Sequence, residues 1–268
     1  MTMTANHPRE TGAAPGSTPL LSVQGGVATI TLNRPAHRNR LHNDDLRVLM
    51  QHFRAIQDDA SIRVAVLTGQ VLAQRPVFCA GYHIGQHGSE HADAPFEQVA
   101  DALEALRPVT VCALNGSVYG GATDLVLACD FAIGVEGMEM RMPAAVLGMH
   151  YYPGGMSRYV SRLGLANAKR AFLAAEPFAA PELLRMGYVQ QLAPADQHAT
   201  AVQALVGRLH ALAPLAVQTL KASLNEVARG DFEAQRLRAR QHLTQASRDF
   251  AEGCQAFGER RVPVFTGQ

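Results

Sequence analysis

Two glycine-containing turns carry the residues best placed to do chemistry. The first reads Phe78-Cys79-Ala80-Gly81-Tyr82-His83-Ile84. The second runs from Leu114-Asn115-Gly116 through Tyr119-Gly120-Gly121 to Asp124-Leu125. Each follows an apolar run of strand character and leads into polar or helical sequence. In a sheet of parallel strands such turns fall at the carboxyl ends, where ligands bind. Gly120-Gly121 opens a helix, so unpaired N–H groups and the positive end of that helix face the same space. Main-chain donors there can hold an oxygen that gains negative charge. Asp124, one turn into the helix, is a candidate acid or base. A structural reading stands beside it, since a carboxylate in a first helical turn contributes about 0.3–1 kcal/mol by itself. His83 reads as a rim or structural residue that can titrate near neutral pH. Tyr151 is a candidate site residue, or an amphipathic wall residue that packs its ring. His150 and Tyr152 read as less direct.

The elements that must position these turns follow from periodicity. Leu20 to Val23, Gly25-Gly26 and Val27 to Leu32 read as strand, tight turn and strand, with period two in the second run. Asn43 is a plausible helix cap, and Leu46, Leu49, Met50, Phe53 and Ile56 carry helical spacing as far as about Asp58. Val64 to Thr68 reads as a buried strand and Phe96 to Leu106 as a helix. Val109 to Leu114 reads as a strand, Gly116 to Gly121 as a turn, Asp124 to Ala128 as helix and Phe131 to Val135 as strand. Residues 85–95 are polar and read as a mobile loop. The alternation argues for parallel strands joined by crossover helices in an α/β fold. From Ala166 onward the chain is mostly helical, over Leu205 to Leu212, Pro214 to Ala228 and Phe232 to Phe257, with a break at Arg229-Gly230-Asp231. The expected organisation is a flexible tail over 1–18, a core over 19–205 and a helical region over 206–268.

Composition narrows the function classes. Lys plus Arg total 24 and Asp plus Glu total 23, so no global field recruits nucleic acid or an anionic membrane. A local basic patch for a phosphorylated ligand is compatible with that balance. The four cysteines, Cys79, Cys112, Cys129 and Cys254, form no CxxC pair and no zinc-type spacing, so no metal is expected. A reducing cytoplasm is the simplest compartment. The first 18 residues lack an apolar h-region, and no stretch of 18 apolar residues suggests a membrane span.

Five segments together resemble one family. Ile30-Thr31-Leu32-Asn33-Arg34-Pro35, with Asn39 and Leu41, resembles the opening segment of the crotonase (enoyl-CoA hydratase/isomerase) superfamily. The two turns above resemble its F-x-A-G-x-D-I and N-G-x-x-x-G-G-G-x-E-L motifs. Leu147-Gly148 and Gly154-Gly155 resemble its L-G…G-G stretch, and Ala256 to Phe265 resembles its C-terminal A-F-x-E-K-R-x-P-x-F. The resemblance implies a spiral of ββα repeats with a helical C-terminal trimerisation region, hence a homotrimer or dimer of trimers. It implies an acyl-CoA thioester as substrate, with no permanently bound cofactor. The Tyr82 and Gly121 N–H groups become an oxyanion hole for the thioester carbonyl. Arg38, Ala80, Ile84, Phe257 and Arg260 become contacts to coenzyme A, the last two from a neighbouring subunit.

The sequence departs from the family in its acid–base set. The family's hydratases use two glutamates. Asp124 stands at the first position, one methylene shorter, and Ala144 stands at the second and cannot transfer a proton. Tyr82-His83 replaces a small residue and Asp. Tyr151-Tyr152-Pro153 lies where a Pro-Gly-containing loop is usual, and a Tyr near that place resembles a decarboxylating relative. Expected activities are therefore enolate chemistry on an acyl-CoA, decarboxylation of a malonyl-type thioester, or acyl-CoA binding without catalysis.

Overall fold

The protein is described by a computed structural model covering residues 16–72, 74, 76–83, 85 and 95–268. The expected tail therefore lies outside the described residues up to position 15. So do positions 86–94 of the expected mobile loop and the candidate ligand contact Ile84.

The described residues begin with a hairpin. Strands β1 (Leu20–Gln24) and β2 (Val27–Leu32) pair antiparallel about Gly25-Gly26. From β2 onward the sheet is parallel, through β3 (Val64–Gly69), β5 (Val109–Leu114), β7 (Phe131–Val135) and β10 (Gln191–Ala193), in the order β1-β2-β3-β5-β7-β10. Every residue of β5 is buried, as are all but one of β3. Such continuous apolar runs belong to strands covered on both faces. β2, nearer the edge, keeps the alternation read from its sequence.

A second sheet sets the spiral. Strands β4 (Val77–Cys79), β6 (Ser117–Tyr119), β8 (Glu139–Arg141) and β9 (Phe178–Ala179) lie in that order. Each of β3, β5 and β7 is followed by a strand of this smaller sheet and then by a helix. The helices are α2 (Phe96–Glu104), α3 (Ala122–Ala128) and α4 (Pro153–Phe172), which gives three successive ββα units. Helix α1 (Asn43–Asp58) follows the hairpin. α3 is buried over its whole length, so it is a core helix and not an amphipathic one. The ββα repeats implied by the resemblance include this small sheet, but periodicity did not locate its strands: the Gly116–Gly121 segment, expected as a turn, contains β6. Three-residue strands are too short for periodicity to register.

Other boundaries differ from expectation as well: the helix read over Leu205 to Leu212 begins at His198. His42, not Asn43, precedes the first turn of α1, and Asp45 Oδ2 accepts from the His42 N–H at 2.8 Å. The expected helix over Phe232 to Phe257 is two, α8 (Ala234–Gln245) and α9 (Arg248–Glu259). Ser247 divides them, because its Oγ accepts from Phe250 N at 3.1 Å and caps α9. The remaining helices are α5 (Ala180–Arg185), α6 (His198–His210) and α7 (Pro214–Arg229), with Gly230 left-handed where α7 stops. Among the described residues no single helix is long and apolar enough to cross a membrane. α6 and α7 reach that length and composition only together, bent by 105°. Cys79, Cys112 and Cys129 are buried free thiols and Cys254 is exposed.

One contact anchors the C-terminal helices to the core, and a second folds the end of the chain back onto α9. Lys221 of α7 is buried, its Nζ 2.7 Å from Asp130 Oδ2 and 2.9 Å from the Pro108 carbonyl. At the end of the chain, Glu252 accepts from Arg261 at 2.6 and 2.9 Å and from the Val264 N–H at 2.8 Å. The Arg261 hydrogen bonds, then the Val264 amide, hold the Glu252 carboxyl down at about 2, below its ordinary 4.5.

Removing one partner of a largely buried pair leaves the other charge uncompensated. Lys221→Met is expected to cost about 3 kcal/mol, lowering the melting temperature by roughly 6–12 °C for a domain of this size, as read by circular dichroism. The Glu252 contact stabilises the C-terminal segment above pH 4.5 and is lost as pH falls through about 2. The Val264 amide resonance is expected to titrate with its midpoint near 2, and to lose that titration in Glu252→Gln.

Candidate active site

The two glycine turns are brought into contact, and the opening segment is what carries the first one there. Asn39 is buried. Its side chain accepts from Arg34 N at 2.9 Å and donates to the carbonyls of Gln70 at 2.7 Å and Phe78 at 2.9 Å. One carboxamide thus ties the ends of β2, β3 and β4 together. The Cys79 thiol, pushed up to about 12 by burial, points at the Asn39 carbonyl, 2.9 Å away. The Ala80 N–H donates to the Arg38 carbonyl at 2.8 Å.

Beyond Ala80 the chain forms a parallel bridge with Leu41. Leu41 N–H donates to the Gly81 carbonyl at 2.9 Å and His83 N–H to the Leu41 carbonyl at 2.8 Å. Extended backbone alternates its polar groups, so the Tyr82 N–H turns to the opposite edge. Gly81 has a φ of +91°, a region that L side chains rarely adopt. A β-carbon there would stand 2.8 Å from the Tyr119 carbonyl oxygen and 3.5 Å from Gly121 N. The first turn therefore lies directly against the second. In the second, Gly120 N–H is taken by the Arg141 carbonyl at 3.0 Å. Among the described residues no main-chain carbonyl is paired with the Gly121 N–H. The Tyr82 hydroxyl hydrogen-bonds to Asn43 Oδ1, which fastens the first turn to the start of α1. Asn43, read from sequence as a cap, serves the turn instead.

A wall of aromatic rings runs from these turns. The Phe96 ring lies against Gly121, 3.1 Å from where a β-carbon would be. It sits 6.0 Å from the Tyr82 ring and 6.3 Å from the Tyr152 ring. Tyr152 stacks on Tyr151 with centroids 4.1 Å apart, and Tyr151 meets Phe172 at 5.2 Å. Gly155 makes the stack possible, since a β-carbon there would fall 2.3 Å from the Tyr151 ring and 2.7 Å from the Tyr152 ring.

Behind the wall is a buried charge cluster. Asp124 is fully buried. Its Oδ1 accepts from Arg158 Nε at 2.9 Å, and its Oδ2 from Arg158 Nη2 at 2.7 Å and from the Tyr152 hydroxyl at 2.6 Å. The Tyr151 hydroxyl donates to the Tyr152 hydroxyl at 2.9 Å. Arg158 also meets Asp101 at 2.8 Å and Glu104 at 3.5 Å. Burial opposes the Arg158 charge, but the hydrogen bonds and charge of Asp124 raise its pKa overall. Burial, then the Asp124 charge, pushes both tyrosine hydroxyls well above their usual range.

The structure thus places Tyr82 and Gly121 together, and links Tyr151 to Asp124 through Tyr152. Ala144 is buried three residues beyond Arg141, whose carbonyl holds Gly120. Arg38 is exposed and lines a depression of about 340 Å³ with Ser117, Tyr119 and Glu136. Arg260 is exposed at the end of α9, and Phe257 is 88% exposed. His83 stacks on His42, with centroids 4.8 Å apart, and its buried Nδ1 has no hydrogen-bond partner among the described residues. Sequence reading missed Arg158 and gave Tyr152 too little weight. The available signal was the carboxylate itself: a charge on an otherwise uncharged, largely apolar helix requires a cation from elsewhere.

Alternating strands of two sheets with a helix after each pair, and paired glycine turns at the strand ends, define the crotonase architecture. The chain belongs to the enoyl-CoA hydratase/isomerase family, whose model matches residues 22–268. It is similar to the 2,3-dehydroadipyl-CoA hydratase of Escherichia coli K12, at 29% identity over 93% of this chain and 98% of the relative. It is also similar to the crotonyl-CoA hydratase of Syntrophomonas wolfei, at 28% identity over 92% of this chain and 96% of the relative. The crystal structure of an enoyl-CoA hydratase/carnithine racemase from Magnetospirillum magneticum superposes with a TM-score of 0.85 at 26% identity, covering 94% of this chain and 96% of that one. The chain is accordingly an acyl-CoA-processing enzyme of this family.

The charge cluster is asymmetric. Arg158 has three carboxylates, whereas Arg158 is the cation that Asp124 meets among the described residues. Arg158→Met is therefore expected to cost about 3–5 kcal/mol and Asp124→Asn distinctly less, with the double variant recovering part of the arginine loss. Urea unfolding of the three proteins measures this.

Proposed function

We propose that the enzyme binds an acyl-CoA thioester with its carbonyl oxygen between the Tyr82 and Gly121 N–H groups and processes it through an enolate. The observation that carries this reading is the close approach of Gly81 to the Tyr119–Gly121 backbone. Removing a proton, or carbon dioxide, next to a thioester carbonyl moves charge onto its oxygen. Two fixed main-chain donors stabilise that charge without reorganising at the moment of reaction. The proton is handled by a reduced set, with Asp124 as its one carboxylate and Tyr151 beside it, because Ala144 offers none.

This set favours relocation of a proton, as in double-bond isomerisation, where one group removes the proton and returns it. Hydration of an enoyl-CoA requires a further group to hold water. Decarboxylation of a malonyl-type thioester is the second reading, favoured by the tyrosines at 151 and 152. Acyl-CoA binding without catalysis is a third, motivated by Ala144. Arg38, Ala80 and Ile84 are proposed to contact coenzyme A from one subunit, and Phe257 and Arg260 from a neighbour in a homotrimer or dimer of trimers. The exposure of Leu220, Leu224, Phe250 and Phe257 on the C-terminal helices supports such an assembly. The ligand is a substrate, and no resident cofactor, nucleic acid or membrane enters the reading. A cytoplasmic setting suits the free thiols.

Gly121 has φ −55°, which proline adopts, so Gly121→Pro deletes the donor at an unchanged φ but adds carbons against the Phe96 ring, 3.1 Å from the β-carbon position; Gly121→Ala, which meets the same ring and keeps the N–H, is the steric control. In a panel of enoyl-CoA and malonyl-type thioesters, the substrate that wild type turns over is expected to lose about 10²–10³-fold in kcat in the proline variant, with the melting temperature read alongside. Wild-type turnover of none of the panel, or an unchanged kcat in the proline variant, counts against the reading.

A further inference from the structure

The family position of Asp124 suggests a carboxylate that meets substrate directly, but its surroundings do not allow that. It is fully buried, and Arg158 covers both of its oxygens. The remaining contact is the Tyr152 hydroxyl at 2.6 Å, and that hydroxyl accepts from Tyr151 at 2.9 Å. The Tyr151 hydroxyl directs its proton at Tyr152, which leaves its oxygen lone pairs able to accept. The Tyr152 ring continues the wall through Phe96 to Gly121.

We propose that Tyr151 and Tyr152 carry the proton between the substrate carbon and Asp124, with Arg158 as the positioning residue that fixes the carboxylate. This rests on the enolate reading above. In the forward step the substrate C–H bond breaks and its electron pair moves to the thioester oxygen. The proton goes to the Tyr151 oxygen, the Tyr151 proton to the Tyr152 oxygen, and the Tyr152 proton to Asp124 Oδ2. Both phenols end neutral, Asp124 ends as a carboxylic acid, and one negative charge has moved to the enolate oxygen. The reverse shift returns a proton to the same or another carbon.

Two features of the site suit such a shift. While Asp124 is neutral, Arg158 keeps Asp101 as a counter-charge, together with Glu104, which it shares with Arg229 at 3.1 Å, so the step leaves no buried cation unpaired. Burial and the Asp124 charge raise both phenols, so the protons move together and no tyrosinate stands alone. The relay also explains how a site with Ala144 in the second carboxylate position keeps a proton-transfer group.

The test uses 3-butenoyl-CoA with the full-length enzyme. Exchange of its α-protons in D2O is followed by mass spectrometry, and its binding by calorimetry. Tyr151→Phe, Tyr152→Phe and Asp124→Asn keep the ring or the side-chain shape. Each is expected to slow exchange about 10²–10⁴-fold with Kd within about threefold of wild type, the range a purely positional loss leaves open. Tyr159→Phe, whose hydroxyl bonds to Thr123 outside the chain, is expected to exchange like wild type. A bowed dependence of rate on deuterium fraction in wild type, linear in Tyr152→Phe, is the signature of several protons in flight. A Tyr152→Phe enzyme that exchanges like wild type overturns the relay and leaves the enolate reading standing. A wild type that neither binds nor exchanges the thioester overturns both.

Discussion

The structure turns on how closely two pieces of main chain approach each other. Gly81 sits against Tyr119 to Gly121 at a distance that admits no β-carbon, in a backbone conformation that L side chains rarely take. Everything nearby serves that contact. Asn39 ties three strand ends together on one side of it, Asn43 holds the Tyr82 hydroxyl, and the Arg141 carbonyl holds Gly120. The ββα spiral supplies the frame, because each unit returns its small-sheet strand beside that of the preceding unit. Donors fixed on such a scaffold stabilise developing charge without reorganising.

Against this rigid contact stands a buried ion pair that contributes specificity of position more than stability. Desolvation of Asp124 and Arg158 offsets most of their attraction. What the pair does achieve is orientation: a fork of two N–H groups fixes the carboxylate plane, and the carboxylate fixes Tyr152. Asp101 and Glu104 share the same guanidinium. A cluster with more carboxylates than cations around Arg158 tolerates a change of protonation that a lone pair would not.

Much of the fold was legible because long, buried elements announce themselves. The apolar runs at Val64 and Val109 and the spacing of Leu46, Leu49, Phe53 and Ile56 gave strands and helix within a residue or two. The strands of the small sheet could not be located by periodicity, since three-residue strands carry no period, and the C-terminal helix split at Ser247, where one hydroxyl decides the boundary. At the site, the glycine turns and Asp124 could be picked out by type and order. Arg158, 34 residues further along and in a different helix, could not be paired with Asp124 by local spacing.

The sequence by itself determined the family, the two turns and the missing second carboxylate, because these depend on residue identity in order along the chain. Tertiary structure alone decided that the turns touch, that Asn43 holds Tyr82 where a helix cap was expected, and that Asp124 is sealed behind Tyr152 by Arg158. The physical reason is that burial and partnership of a charge depend on side chains distant in sequence. A carboxylate's role is set by what surrounds it once the helices have packed.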